Sequence, residues 1–136
     1  MRSALLRKRL LGRLQARWQR RLVTVAGGPG FGKTILLAQA VAENRLAPRG
    51  IDLWLTCMPD DATASSLSAG LRAAVHAPGG PDDDTPAAVA EAILLLAPQQ
   101  VALVLDDVHE IPAGSGGAAL LAAVLDALPS NGHLVL

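Results

Sequence analysis

Aromatic side chains are nearly absent from this chain, at 2% of residues against 51% hydrophobic, so its core has to be built from Leu, Val, Ile and Ala rather than from large rings. That composition suits strands buried on both faces beneath helices, as in a parallel sheet. Cysteine is scarcer still. Cys57 stands alone, which excludes an intrachain disulfide and any metal site needing two thiolates, and a reducing cytoplasm is the expected setting. Long apolar runs are missing too: the longest, such as 92–97 and 116–125, fall short of the ~18 residues of a membrane span. Arg7, Lys8, Arg9 and Arg13 interrupt the place where a secretory leader would carry its apolar segment. A soluble, cytoplasmic protein with no membrane partner is expected. Acidic residues are absent before Glu43, whereas eight of the twelve basic residues lie between Arg2 and Arg21. Over the whole chain the charges balance at 12 against 12, so the basic arm is a local feature that needs its own account.

The length of 136 residues allows one α/β domain with a single core. Residues 1–21 read as a basic amphipathic leading helix, with Leu6, Leu10, Leu14 and Trp18 recurring every fourth position and arginines around the rest. Gly12 weakens it slightly. The domain proper is expected over 22–136. Leu22 to Ala26 is a short apolar run with β-branched residues that stops at a glycine cluster, hence a buried strand feeding a loop. Helical spacing follows over Thr34 to Glu43, closed by Pro48 and Gly50. Ile51 to Leu55 is a second candidate strand, and Ala64 to Val75 a helix with Leu67, Leu71 and Val75 on one face. The stretch from Ala77 to Thr85 turns to Pro, Gly and Asp and marks a loop. Thr85 then Pro86 is a helix start, cap followed by first turn, leading into Val89, Ile93 and Leu96. Val101 to Leu105 is an unbroken apolar strand ending in two aspartates, Leu120 to Leu128 another helix, and His133 to Leu136 a fourth strand. Helices alternating with continuous apolar strands imply a parallel sheet covered on both faces. Because the chain stops inside an apolar strand that would be left as an open edge, the sheet is expected to be incomplete after this point.

Gly27, Gly28, Pro29, Gly30, Phe31, Gly32, Lys33 and Thr34 match G-x-x-x-x-G-K-[ST] at every required position, between a predicted strand and a predicted helix. A loop that wraps a polyphosphate turns its backbone N–H groups inward, and glycines permit the dihedrals and close approach this needs. The helix that starts there adds its positive dipole end. Lys33 can reach the β- and γ-phosphates, and the Thr34 hydroxyl is placed to ligate Mg²⁺. The bland alternative is a glycine turn joining strand to helix, which would not require the lysine and threonine at these two positions.

In P-loop ATPases a second strand delivers an aspartate to the metal, usually through an outer-shell water, and an adjacent acid can orient the attacking water. Asp106 follows the apolar run and is assigned to the magnesium; Asp107 is the candidate for orienting water, with Glu110 as a fallback. The alternative is a solvated turn after a buried strand. His76, His109 and His133 have no partner at ligand spacing and are assigned no function. Trp54 and Cys57 read as packing rather than as a stacking platform or a nucleophile. For the basic arm, phosphate neutralisation on nucleic acid and a transit peptide compete with an amphipathic helix that packs its leucines beside the nucleotide site and leaves its arginines in solvent, and the apolar periodicity favours the last.

With both motifs in place, the chain resembles the start of the STAND ATPases, in particular the large ATP-dependent LuxR-type bacterial transcriptional regulators. The resemblance rests on the Arg- and Leu-rich leading helix, RLVTVAGGPGFGKTILLAQAVAE, a strand ending in WL, VALVLDDVHEI and LPSNGHLVL. It implies a P-loop NTPase domain of RecA/AAA-like architecture, a parallel sheet with helices on both sides. ATP or ADP occupancy would shift such a protein between a closed resting form and an assembly-competent one, with DNA and an effector bound by later domains. Carried over, residues 27–34 hold the phosphates, Thr34 and Asp106 the magnesium, and Asp107 the hydrolytic water, with Lys33 beside it in catalysis. That family's arginine-bearing sensor segment, helical subdomain, repeats and helix-turn-helix are not found in this sequence. Two other functions compete with slow ATP hydrolysis: a nucleotide-binding remnant without catalysis, and a phosphotransferase, which would need more arginines around the transferred group than Arg45, Arg49 and Arg72 supply.

Overall fold

The computed structural model describes residues 2–25, 31–75 and 85–136, with the side chains of residues 2–7 and of Phe31 outside that description. Its regular elements are α1 (Arg2–Gln15), β1 (Leu22–Val23), α2 (Phe31–Leu46), β2 (Ile51–Thr56), α3 (Ala64–Ala74), α4 (Pro86–Leu94), β3 (Val101–Asp106), α5 (Gly116–Ala127) and β4 (Gly132–Val135). Helix starts follow local chemistry. The hydroxyls of Thr63, Thr85 and Ser115 accept from the backbone N–H groups of Ser66, Ala88 and Ala118, and Pro86 opens α4 where its missing N–H costs nothing.

The four strands form one parallel sheet in the order β1-β4-β3-β2. Side chains alternate across it. Val101, Leu103 and Leu105 of β3 enter a core with Leu67 and Leu71 of α3, Val89 and Ile93 of α4, and Leu120 and Val124 of α5. Ala102 and Val104 enter a second core with Leu14 of α1 and Leu36, Leu37 and Ala40 of α2. Helices therefore cover both faces, as the unbroken apolar strands predict. No helix among the described residues is long and apolar enough to cross a membrane.

Three expectations change. The sequence places the fourth strand at an open edge, but β4 lies between β1 and β3 and is buried throughout; the free edges are β1 and β2. The first strand is shorter than its β-branched run: its ladder covers Leu22–Val23, continued by the Val25 N–H donating to the Leu136 carbonyl at 2.9 Å. Ala26 lies outside the described residues. The leading helix ends at Gln15 rather than Arg21, giving way to a 3-10 turn over Arg17–Gln19.

Arg17 opens that turn. Arg17 does not stand in solvent; it is 2% exposed, its Nε and Nη2 donating to the two carboxylate oxygens of Asp52 at 2.9 and 2.6 Å and its Nη1 to the Leu14 carbonyl at 2.6 Å. The guanidinium also lies 4.7 Å from the Trp18 ring centre. Asn44 adds donors to Asp52 and to the Gly50 carbonyl. Arg21 satisfies carbonyls at the end of α5, on Leu125 and Asp126, as basic residues do near helix C-termini. The basic arm is thus partly an internal brace. Leu14 anchors α1 beside it at 1% exposure; burying one leucine is worth roughly 1.5–3 kcal/mol, which outweighs the ~1 kcal/mol cost of Gly12 in the helix.

His133, buried at the same end, places its two ring nitrogens against the Arg20 carbonyl and the Gln100 side chain, and its ring meets Trp18 edge-on at 5.8 Å. Two glycines make close contacts possible. A Cβ on Gly50 would meet the Gln100 carbonyl at 2.5 Å, and one on Gly117 the Asp61 carbonyl at 2.0 Å, so α5 lies flush against the short turn Pro59–Ala62 that leaves β2.

Candidate functional site

The alternation along β3 decides where its terminal carboxylate goes. Asp106 shares the parity of Ala102 and Val104, so it faces α2, and it is 4% exposed. Thr34 stands in the first turn of α2. Its Oγ1 lies 3.1 Å from each carboxylate oxygen of Asp106, 72 residues away in sequence. The Thr34 hydroxyl donates its one hydrogen to this carboxylate and keeps its lone pairs.

The result is a pair of hard oxygen donors at the carboxyl ends of the strands, where open α/β sheets place their ligands. Mg²⁺ characteristically takes one or two protein groups and fills the rest with phosphate and water. Thr34 and Asp106 fit that donor set. By contrast, no group of three or more His, Cys, Asp or Glu side chains suited to a metal occurs among the described residues.

Lys33 is half-buried beside Thr34, and Gly32 lies in the same opening turn of α2. The free N–H groups of that turn are the anion-binding feature of a helix start. Gly27, Gly28, Pro29 and Gly30 lie outside the described residues, as does the Phe31 side chain.

Asp107 parts from Asp106 in direction. Its backbone is left-handed, φ 55° and ψ 38°, a conformation that Asp tolerates better than most residues. The turn interrupts the strand's alternation, and the residue, half-buried, opens the 3-10 turn Val108–Glu110 without a side-chain cap. Glu110, the fallback acid, lies 3.3 Å from His109 on the same turn. His133 is the satisfied core histidine described above, His109 is exposed, and His76 lies outside the described residues.

Cys57 is 1% exposed and its N–H donates to the Asp106 carbonyl at 2.9 Å, tying the exit of β2 to that of β3. Burial first, then the charges of Asp61, Asp107 and Asp106, push its thiol from 9.0 up to about 12. It is a packing group, not a nucleophile. Trp54 is half-buried against the second core, and its Nε1 donates to Thr56 Oγ1 at 3.0 Å. Thr56 belongs to no motif and falls one residue past the strand expected over Ile51–Leu55; its one signal is the strand register, which sets it opposite Asp106.

A cleft of about 270 Å³ between the last turns of α1 and α2 lies at the opposite end of the sheet. Two of its charged groups are already engaged, Arg17 with Asp52 and Glu43 with Gln15, and Arg49, which also lines it, supplies no oxygen donor for a cation. Comparison with models of known protein families finds no match, and comparison with curated proteins finds none either.

Proposed function

We propose that this chain binds ATP as its magnesium complex and hydrolyses it slowly, exchanging ATP for ADP as the nucleotide switch of a signal-transducing transcriptional regulator. The observation that carries the reading is the meeting of Thr34 and Asp106 at 3.1 Å beside Lys33, at the start of a helix preceded by the glycine-rich sequence of residues 27–32. In this reading residues 27–34 hold the phosphates with backbone N–H groups, Lys33 places a positive charge on the β- and γ-phosphates, and Thr34 and Asp106 hold the cation. A bound magnesium ion neutralises charge on the transferred phosphoryl group. Asp107 orients the attacking water and takes up its proton. Regulation through DNA, an effector and self-association follows from the resemblance to STAND regulators.

Binding without turnover is the second reading. It is favoured by the engagement of Glu110 with His109 and by the lack of an arginine among the described residues that end the strands, from Thr24 and Thr56 to Asp106 and Leu136. One experiment addresses both. Labelled ATP is titrated onto the parent chain and onto Lys33→Ala, with and without Mg²⁺. The variant is expected to bind at least about tenfold more weakly, the scale of one lost charge-assisted hydrogen bond. Equal affinity in the two proteins would overturn the site. Phosphate release above background in the parent and at background in Asp107→Asn supports hydrolysis; background release in the parent leaves binding alone.

A further inference from the structure

The edge strand β2 runs in register with β3, pairing Asp52 with Ala102, Trp54 with Val104 and Thr56 with Asp106. Neighbouring parallel strands lie about 4.8 Å apart, and residues in register point to the same side. Asp52, Trp54 and Thr56 therefore form the β2 part of the face that carries α2. Two of the three are accounted for: Asp52 takes Arg17, and Trp54 packs into the second core. Thr56 is exposed, in the row beside the buried carboxylate.

Its hydroxyl is nonetheless held in place. An indole nitrogen can only donate, so the 3.0 Å contact from Trp54 Nε1 occupies one lone pair of Thr56 Oγ1. The second lone pair and the hydroxyl hydrogen remain. Thr56 thus presents an oriented acceptor next to the oxygen pair of Thr34 and Asp106.

We infer that Thr56 is a positioning residue for the cation site, accepting a hydrogen bond from a water in the coordination shell of the magnesium ion bound at Thr34 and Asp106, with Trp54 fixing its hydroxyl. The inference rests on the proposed nucleotide site. Mg²⁺ gives up its waters reluctantly and usually keeps several. Such a water turns a lone pair to the metal and its hydrogens outward, and one of those hydrogens is what the free lone pair of Thr56 would accept. Groups that orient the ligands of a metal in this way set its affinity.

The test measures the Mg²⁺ concentration needed for half-maximal binding of labelled ATP, together with the change in tryptophan emission on adding Mg²⁺ and ATP; Trp18 and Trp54 are the chain's two tryptophans. Thr56→Val keeps the shape and loses the acceptor, and is expected to raise the required Mg²⁺ about fivefold to tenfold, the scale of one hydrogen bond. It should also lose the emission change. Thr56→Ala behaves the same way and Thr56→Ser restores both, while ATP binding in excess chelator is equal in all four proteins. A merely structural role would move the chelator arm as well, and that result overturns the inference. So does a Mg²⁺ requirement in Thr56→Val equal to the parent's, with the nucleotide site itself left standing. A parent chain whose ATP binding ignores Mg²⁺ overturns the inference and the proposed cation site together.

Discussion

The two ends of one sheet treat polar groups in opposite ways. At the amino ends of the strands, Arg17, Asp52, Asn44, Gly50, His133 and Gln100 close on one another, so a buried ion pair and a buried imidazole are consumed by their neighbours. At the carboxyl ends, Thr34 and Asp106 hold each other by a single hydroxyl hydrogen, and Thr56 accepts one indole N–H with valence to spare. Buried polar groups that are fully partnered specify and rigidify a fold. Those with donors or acceptors left over are the ones that can hold something else. The contrast separates a brace from a site without appeal to which residue types are involved, since both ends contain carboxylates.

The sharpest way to break this comparison is to cut the brace. Arg17→Ala leaves the Asp52 carboxylate buried and unpaired, and is expected to cost about 3–5 kcal/mol of folding stability, read from the midpoint of denaturant unfolding. A loss below ~1 kcal/mol would show that the amino end is no better consolidated than the surface. Next in size is the complementary change at the other end. Asp106→Asn keeps an acceptor for Thr34 but removes the charge, so the Mg²⁺ needed for ATP binding should rise about tenfold while stability moves by no more than ~1 kcal/mol. An unfolded or strongly destabilised variant would make Asp106 part of the brace instead. The smallest effect is a pH dependence. The folded Cys57 thiol is raised to about 12 from 9.0, so it contributes stability that is fully present below 9 and is lost as pH climbs toward 12. Between pH 9 and 10 the loss amounts to about 1 kcal/mol. Cys57→Ala should remove this contribution from the pH dependence of the unfolding midpoint.

Much of this architecture is legible in the sequence because the signals are local. Apolar runs without polar interruption announce strands covered on both sides, and Thr85 with Pro86 starts a helix by chemistry that needs no partner from elsewhere. The juxtaposition of Thr34 and Asp106 is legible for another reason: expecting both to serve one cation requires the two segments to meet. What escapes is set by pairing between distant segments. Nothing in His133 to Leu136 says that the strand inserts between β1 and β3, since strand order depends on crossovers and not on the strand's own residues. Arg17 reads as one more solvated charge of a basic helix, and only the fold brings Asp52 underneath it. Thr56 has no meaning until register sets it opposite Asp106. The left-handed turn at Asp107 is likewise silent, because an aspartate in that conformation looks the same on paper as one that continues a strand.

The missing side chain at Gly117 has a mechanical consequence. Where α5 begins, the helix backbone abuts the Asp61 carbonyl with no room for even a methyl group, and a steric seat of this kind resists compression. The turn that seats there follows Thr56, Cys57 and Met58, directly out of the strand bearing the spare hydroxyl. A displacement of that strand's exit toward the helix would therefore bear on the first turn of α5, on the opposite face of the sheet from Thr34 and Asp106.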